Sequence, residues 1–199
     1  MNTLLAMRRV LVFCGSSPGR LPAYVDAAGA LGAELAAQGL GVVYGGAQVG
    51  LMGAVADAVL AQGGEVIGVI PRMLVEKEVA HTGLSDLRVV ETMHERKALM
   101  ESLADGVIAL PGGFGTLEEL FEIVTWAQLG LHSKPVGLLN VAGYWDQLLV
   151  FVDQMVAERF VRAEQREALL VADSPAELVA RMEAYQPVVV DKWIDRSHT

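Results

Sequence analysis

The sequence predicts an α/β fold: a Rossmann-like, doubly wound, mostly parallel sheet with helices on both faces. Three observations predict it. Short apolar runs alternate with helical patterns, which builds a parallel sheet through right-handed crossovers. The hydrophobic residues, 53% of the 199-residue chain, are mostly Ala, Val and Leu, as suits strands buried on both faces. Three strands run into glycine-bearing turns, Gly15-Ser16-Ser17, Gly45-Gly46 and Gly112-Gly113. Such a sheet gathers these turns at the carboxyl edge, where ligands bind.

The elements follow in order. Val10 to Phe13 reads as a strand, and Tyr24, Val25, Ala28, Leu31 and Leu35 recur at helical spacing after it. Leu40 to Tyr44 is a second strand and Leu51 to Ala61 a second helix. Val66 to Ile70 is a third strand, stopped by Pro71. Leu87 to Val90 precedes a helix over Met93 to Ala104, and Val107 to Leu110 precedes one over Leu117 to Leu129. Val136 to Leu139 is the last strand expected, followed by helices over Tyr144 to Ala157 and Pro175 to Ala184, the latter capped by Ser174.

The length fits one domain, residues 1–199, with a core over about 8–185 and a tail over 186–199 that lacks periodicity. A net charge of −9 argues against non-specific nucleic-acid binding. Cys14 is the only cysteine, so no intrachain disulfide or cysteine metal cluster forms. Met1 to Ala6 is too short for a signal peptide, and Arg8 and Arg9 follow it rather than precede it. No apolar run approaches membrane-spanning length. A reducing cytoplasm is the expected compartment.

The most telling segment is Pro111-Gly112-Gly113-Phe114-Gly115-Thr116-Leu117-Glu118-Glu119. A glycine-rich turn between strand and helix presents backbone N–H groups to an anion, and the helix N-terminus adds partial positive charge. A phosphate is therefore expected here. It is not a Walker loop, because no lysine follows in place.

Arg96 is the next candidate. Thr92 and Glu95 form a capping box, and Arg96 then falls on the inward stripe with Met93, Leu99, Met100 and Leu103. It either contacts a ligand, pairs with a core carboxylate or snorkels outward. Lys97 lies beside the stripe, either solvated or near the ligand. Glu119 is open to two readings: a capping-box partner of Thr116, or a carboxylate working on the ligand. The projection puts Leu117, Leu120, Phe121 and Val124 on the sheet side, with Glu119, Ile123 and Trp126 opposite. A helix apolar on both sides implies a second subunit. Ser16 and Ser17 cap the first helix or bind the ligand. His81, His94, His132 and His198 show no metal-ligand spacing. By pattern alone Glu78 reads as a solvated loop residue.

Together, Phe13-Cys14-Gly15-Ser16-Ser17, Tyr44-Gly45-Gly46, Gly50-Leu51-Met52-Gly53, Met93 to Ala98, Pro111 to Glu119 and Thr125 to Gly130 resemble the Lonely Guy (LOG) family of cytokinin-activating phosphoribohydrolases, whose older label is putative lysine decarboxylase. The resemblance covers roughly Val10 to Phe160. It implies hydrolysis of the N-glycosidic bond of a nucleoside 5′-monophosphate, such as AMP or its prenylated derivative. It also implies a homodimer with the site near the subunit boundary. The catalytic pair falls by resemblance on Arg96 and Glu119. Substrate contacts fall on Glu78, Arg96, Lys97, the loop Gly112, Gly113, Phe114, Gly115, Thr116, Leu117, Glu118, Glu119, and Thr125; Ser16, Gly45 and Gly46 join them from the other glycine turns. Ala47 and Phe114 depart from the family pattern, where a glycine and a tyrosine are expected. The scheme needs no metal or organic cofactor, and the partner is a small nucleotide, with neither nucleic acid nor membrane. Two rivals stand beside it. A non-catalytic nucleotide or cofactor carrier on the same fold has no need of Glu119. A lysine decarboxylase needs pyridoxal phosphate on a lysine, and Lys77, Lys97, Lys134 and Lys192 show no such setting.

Overall fold

In a computed structural model that describes residues 7–75, 80–84 and 86–187, seven parallel strands form one sheet in the order β4-β3-β2-β1-β5-β6-β7. The strands are β1 (Arg9–Phe13), β2 (Gly41–Tyr44), β3 (Val66–Pro71), β4 (Asp86–Val90), β5 (Gly106–Ala109), β6 (Val136–Leu139) and β7 (Leu169–Ala172). Val10 pairs with Val42 on one side and Gly106 on the other. The chain runs from β1 outward to β4, then returns to the far side of β1 as β5. The two loops at that reversal diverge and leave a crevice at the carboxyl ends of β1 and β5.

Helices α1 (Pro22–Ala37), α2 (Gly50–Ala61) and α8 (Pro175–Glu183) cover one face. Helices α4 (Met93–Ser102), α5 (Phe114–Gln128) and α6 (Asp146–Ala157) cover the other. Central strands β1, β2, β3 and β5 are buried almost throughout, so their apolar runs are continuous rather than alternating. Helices α1 and α2 cross closely at Gly32, where a Cβ would stand 2.5 Å from the Val55 carbonyl. Pro22 opens α1, and Ser174 caps α8 through the Glu177 N–H.

Four elements were not expected: α3 (Arg72–Val75), α7 (Ala163–Glu167), β7 and a 3-10 turn over Val141–Gly143. The two helices are single turns too short for a periodic signal. Strand β7 is four residues long, lies at the sheet edge and stays partly exposed. The predicted helix from Tyr144 begins at Asp146 instead, because Ala142 (φ 51°) and Gly143 (φ 70°) take left-handed conformations in the short 3-10 turn before it. Strand β3 runs one residue further than expected and ends on Pro71 itself, which pairs with Val90.

Candidate functional site

The helix that carries Arg96 starts as its sequence dictates. The Glu95 N–H donates to Thr92 Oγ1 at 3.1 Å, and Glu95 Oε2 accepts from the Thr92 N–H at 3.2 Å. That box fixes the first turn of α4 and sets Arg96 one turn on, facing the sheet. Arg96 is 5% exposed. Its Nε donates to the Val69 carbonyl at 3.0 Å and its Nη2 to the Gly45 carbonyl at 2.8 Å. The guanidinium thus rests on the carboxyl ends of β3 and β2. Gly45 must be glycine for this: a Cβ there would lie 2.2 Å from Nη2.

The glycine turn before α5 is built differently from the expectation. Helix α5 begins at Phe114, three residues early, with Gly113 as N-cap and no side-chain cap hydrogen bond. Thr116 is therefore inside the first turn, not the cap, and the Thr116–Glu119 capping box does not form. With no side-chain cap and no acidic residue in its first turn, this 15-residue helix offers its N-terminal N–H groups and positive dipole end to a ligand. The turn is held from three sides. The Gly15 N–H donates to the Pro111 carbonyl at 3.0 Å, the Leu110 N–H donates to the Phe13 carbonyl at 2.9 Å, and the Tyr144 hydroxyl donates to the Gly112 carbonyl. A Cβ on Gly112 would strike Thr116 Oγ1 at 2.1 Å, so only glycine lets the turn close over the helix.

These parts meet in one cleft of about 230 Å³. Ser16, Gly45, Arg96, Gly113, Gly115, Thr116, Glu118 and Glu119 line it, so the first, second and fifth strands all contribute turns, as expected. Cys14, Met52, Leu74, Met93 and Met100 supply an apolar side that sequence reasoning did not single out; thioethers at helical spacing read as ordinary core. Burial pushes the Cys14 thiol far up, and the nearby Glu119 charge adds to the shift, so Cys14 is no nucleophile at neutral pH. A second recess of about 250 Å³ lies across the same turns, beside Tyr24 and Tyr144. Gly112 lines that recess rather than the cleft.

Other predicted contacts lie elsewhere. Lys97 is buried, but it reaches across to α5, with Nζ 2.5 Å from Glu118 and 3.1 Å from Glu122. Burial works against its charge, and the two carboxylates outweigh burial and raise its pKa. Gly46 backs the second turn without lining the cleft. Phe114 is 92% exposed and Leu117 packs against the core. Thr125 sits on the outer face of α5, its hydroxyl donating to the Phe121 carbonyl, and does not line this chain's cleft. Glu78 lies outside the described residues.

The faces of α5 are also rotated from the expectation. Thr116, Leu120 and Ile123 are the buried residues, and Trp126 packs against the same core. Phe121, expected inside, is exposed. Phe114 and Phe121 are exposed apolar residues of α5, and Leu129 and Leu131 are exposed just past its end. Leu117 and Val124 still pack against that core, so the buried face has turned toward Ile123 and Trp126 and away from Phe121. Among the described residues no group of His, Cys, Asp and Glu is arranged to hold a metal ion, and no helix is long and apolar enough to cross a membrane.

A parallel α/β sheet with a glycine turn and a helix N-terminus at its switch point, beside a carboxylate and a buried arginine, has the architecture of the Rossmann-like class. Residues 52–182 match the family described as "Possible lysine decarboxylase". The chain is 52% identical over 180 residues to the cytokinin riboside 5′-monophosphate phosphoribohydrolase of Oryza sativa subsp. japonica, spanning 90% of this chain and 74% of the rice protein. It is 51% identical over 181 residues to one from Arabidopsis thaliana, spanning 91% of this chain and 79% of that protein. The chain belongs to the LOG family of phosphoribohydrolases. Solved structures with the same fold include the molybdenum cofactor carrier protein of Chlamydomonas reinhardtii (TM-score 0.67, 20% identity, 89% of this chain and 99% of that one). Another is the molybdenum cofactor binding protein of Rippkaea orientalis (TM-score 0.67, 20% identity, 92% and 98%). At that identity they show the fold alone.

Proposed function

We propose that this protein hydrolyses the N-glycosidic bond of an adenine nucleoside 5′-monophosphate, AMP or its N6-prenylated derivative, releasing the free base and ribose 5-phosphate. The observation that carries this is the cleft itself: an N-terminal helix turn able to grip phosphate, with Glu119 one turn along and Arg96 opposite. The proposal gains support from the family's named activity. The N–H groups of residues 113–116 hold the phosphate and thereby position the sugar. Glu119 cannot sit against the phosphate, because like charges repel, so it faces the ribose. There it stabilises the positive charge that builds on the anomeric carbon, or takes the proton of the attacking water. Water adds to that carbon and the base departs with a proton. Arg96, anchored on two carbonyls, clamps the sugar-phosphate.

The decarboxylase label fits the residues poorly. Schiff-base chemistry needs an unprotonated lysine in the cleft. Among the described lysines, Lys97 is ion-paired with its pKa raised, and Lys134 is held by Glu101. Neither lines the cleft.

We also propose a homodimer in the cytoplasm. The outward apolar surface of α5 with Phe121 at its centre supports a subunit contact, and Thr125 lies on that same face. Phe121→Arg should give a monomer in sedimentation; unchanged mass contradicts this contact. The activity is tested by incubating the protein with AMP and with N6-prenylated AMP and resolving the products by chromatography. Free base from either supports it; none from both overturns it.

A further inference from the structure

We propose that His81 is a positioning residue that holds the second glycine turn and, through it, the Arg96 guanidinium. His81 is 4% exposed, and no part of the chemistry above uses it. Its backbone N–H donates to the Gly46 carbonyl at 3.0 Å, and its neighbour Ala80 bridges to Ala47. Its ring is fixed at both nitrogens. Nδ1 accepts from the Gly83 N–H at 3.1 Å, and Nε2 lies 2.9 Å from Asp57 Oδ1 on α2. The Gly83 contact decides the tautomer: Nδ1 must offer its lone pair, so Nε2 carries the proton and donates it to Asp57. One neutral imidazole thus ties the segment 80–84 to α2, while the backbone of that segment grips Gly46.

The turn needs such a restraint. Gly46 has φ +79°, and two successive glycines have little steric preference of their own. The Gly45 carbonyl that receives Arg96 Nη2 is one peptide away from the one His81 grips. A rotation at Gly46 would swing that carbonyl away from the Arg96 Nη2 that it holds.

The test uses His81→Gln and, on the exposed face of α2, Asp57→Ala, each alone and combined with Arg96→Lys. Its kinetic arm rests on the proposed hydrolase activity; its structural arm does not. With AMP as substrate, His81→Gln should lower kcat/KM by about 10- to 100-fold, and Asp57→Ala by less. In the Arg96→Lys background both losses should shrink, because the clamp then has no guanidinium to place. A merely stabilising residue would give the same fold-loss in both backgrounds. In a crystal structure of either single variant, the Arg96 Nη2 to Gly45 carbonyl contact should lengthen or break. An unmoved Arg96, or equal losses in both backgrounds, overturns the inference. Failure of the unaltered protein to release base instead overturns the hydrolase reading, and the crystallographic result still decides the role of His81.

Discussion

The two edges of the sheet both carry glycine-rich turns and arginines, yet they present opposite ends of the helices. At the carboxyl edge the cleft is about 230 Å³. At the amino edge a larger hollow of about 440 Å³ lies among Arg8, Arg9, Gly39, Gly41, Gly63, Gly64 and Glu65. Size therefore does not mark the site. Orientation does. In an all-parallel sheet the helices run back against the strands, so the carboxyl edge receives helix N-termini and the amino edge receives C-termini. Helices α1 and α2 end at the amino edge with their carbonyls turned outward, followed by the left-handed Gly39 (φ +71°) and Gly63 (φ +73°). Their dipoles repel anions there, and Arg9 is already committed to Glu65 at 2.7 Å. The arginine at the carboxyl edge is buried and held by the Val69 and Gly45 carbonyls at the strand ends.

Substitutions at the two edges should separate accordingly. The largest effect is expected from Glu119→Gln, which should cut turnover by roughly 10²- to 10⁴-fold while nucleotide binding persists. Base release at nearly normal rate would reduce Glu119 to a structural residue. Next is Gly45→Ala. Its Cβ would displace the Arg96 guanidinium, and kcat/KM should fall by about 100-fold; steady-state kinetics beside a denaturant midpoint distinguishes this from simple unfolding. Tyr44→Phe probes the same strand end without touching the cleft. The Tyr44 hydroxyl is buried and has no hydrogen-bond partner among the described residues. Its removal should leave activity intact and raise stability by up to about 1 kcal/mol in urea unfolding.

The smallest effect belongs to the amino edge. The hydrogen bond from Arg9 holds the Glu65 carboxyl below its ordinary value of 4.5, against a smaller opposing cost of burial. A lowered folded-state pKa gives stability that is present above 4.5 and lost as pH falls through the folded value. Because the pair is exposed, the contribution is about 0.2 to 1 kcal/mol. Glu65→Gln should flatten the loss of stability on acidification below pH 4.5 and leave kcat/KM unchanged. A change in activity would mean that the amino edge matters to the cleft.

Much of the site was legible before the fold was known. The Thr92–Glu95 box placed Arg96 inward correctly, because capping is a local interaction between residues three apart. The same pattern at Thr116–Glu119 misled. There a glycine at position 113 opened the helix early, and Thr116 was drawn in against Gly112. Capping motifs and apolar stripes count residues, but the start of α5 was set by how closely the β5 turn approaches β1. Lys97 shows the same limit: its burial and its two carboxylate partners come from α5, some 20 residues on. His81 gave no signal at all, since its partners Asp57 on α2 and Gly46 in the turn after β2 lie far from it along the chain.

Local chemistry in the sequence determined the alternation of strand and helix, the edge on which the glycine turns gather and the cap that starts the Arg96 helix. These follow from periodicity, capping and chain direction, which involve neighbours along the chain. The tertiary structure decided which face of α5 is buried, that Arg96 leans on the carbonyls of Val69 and Gly45, and that the helix N-terminus of α5 opens on the smaller of the two hollows. Those outcomes depend on where distant backbones come to rest, and no spacing within a single segment encodes that.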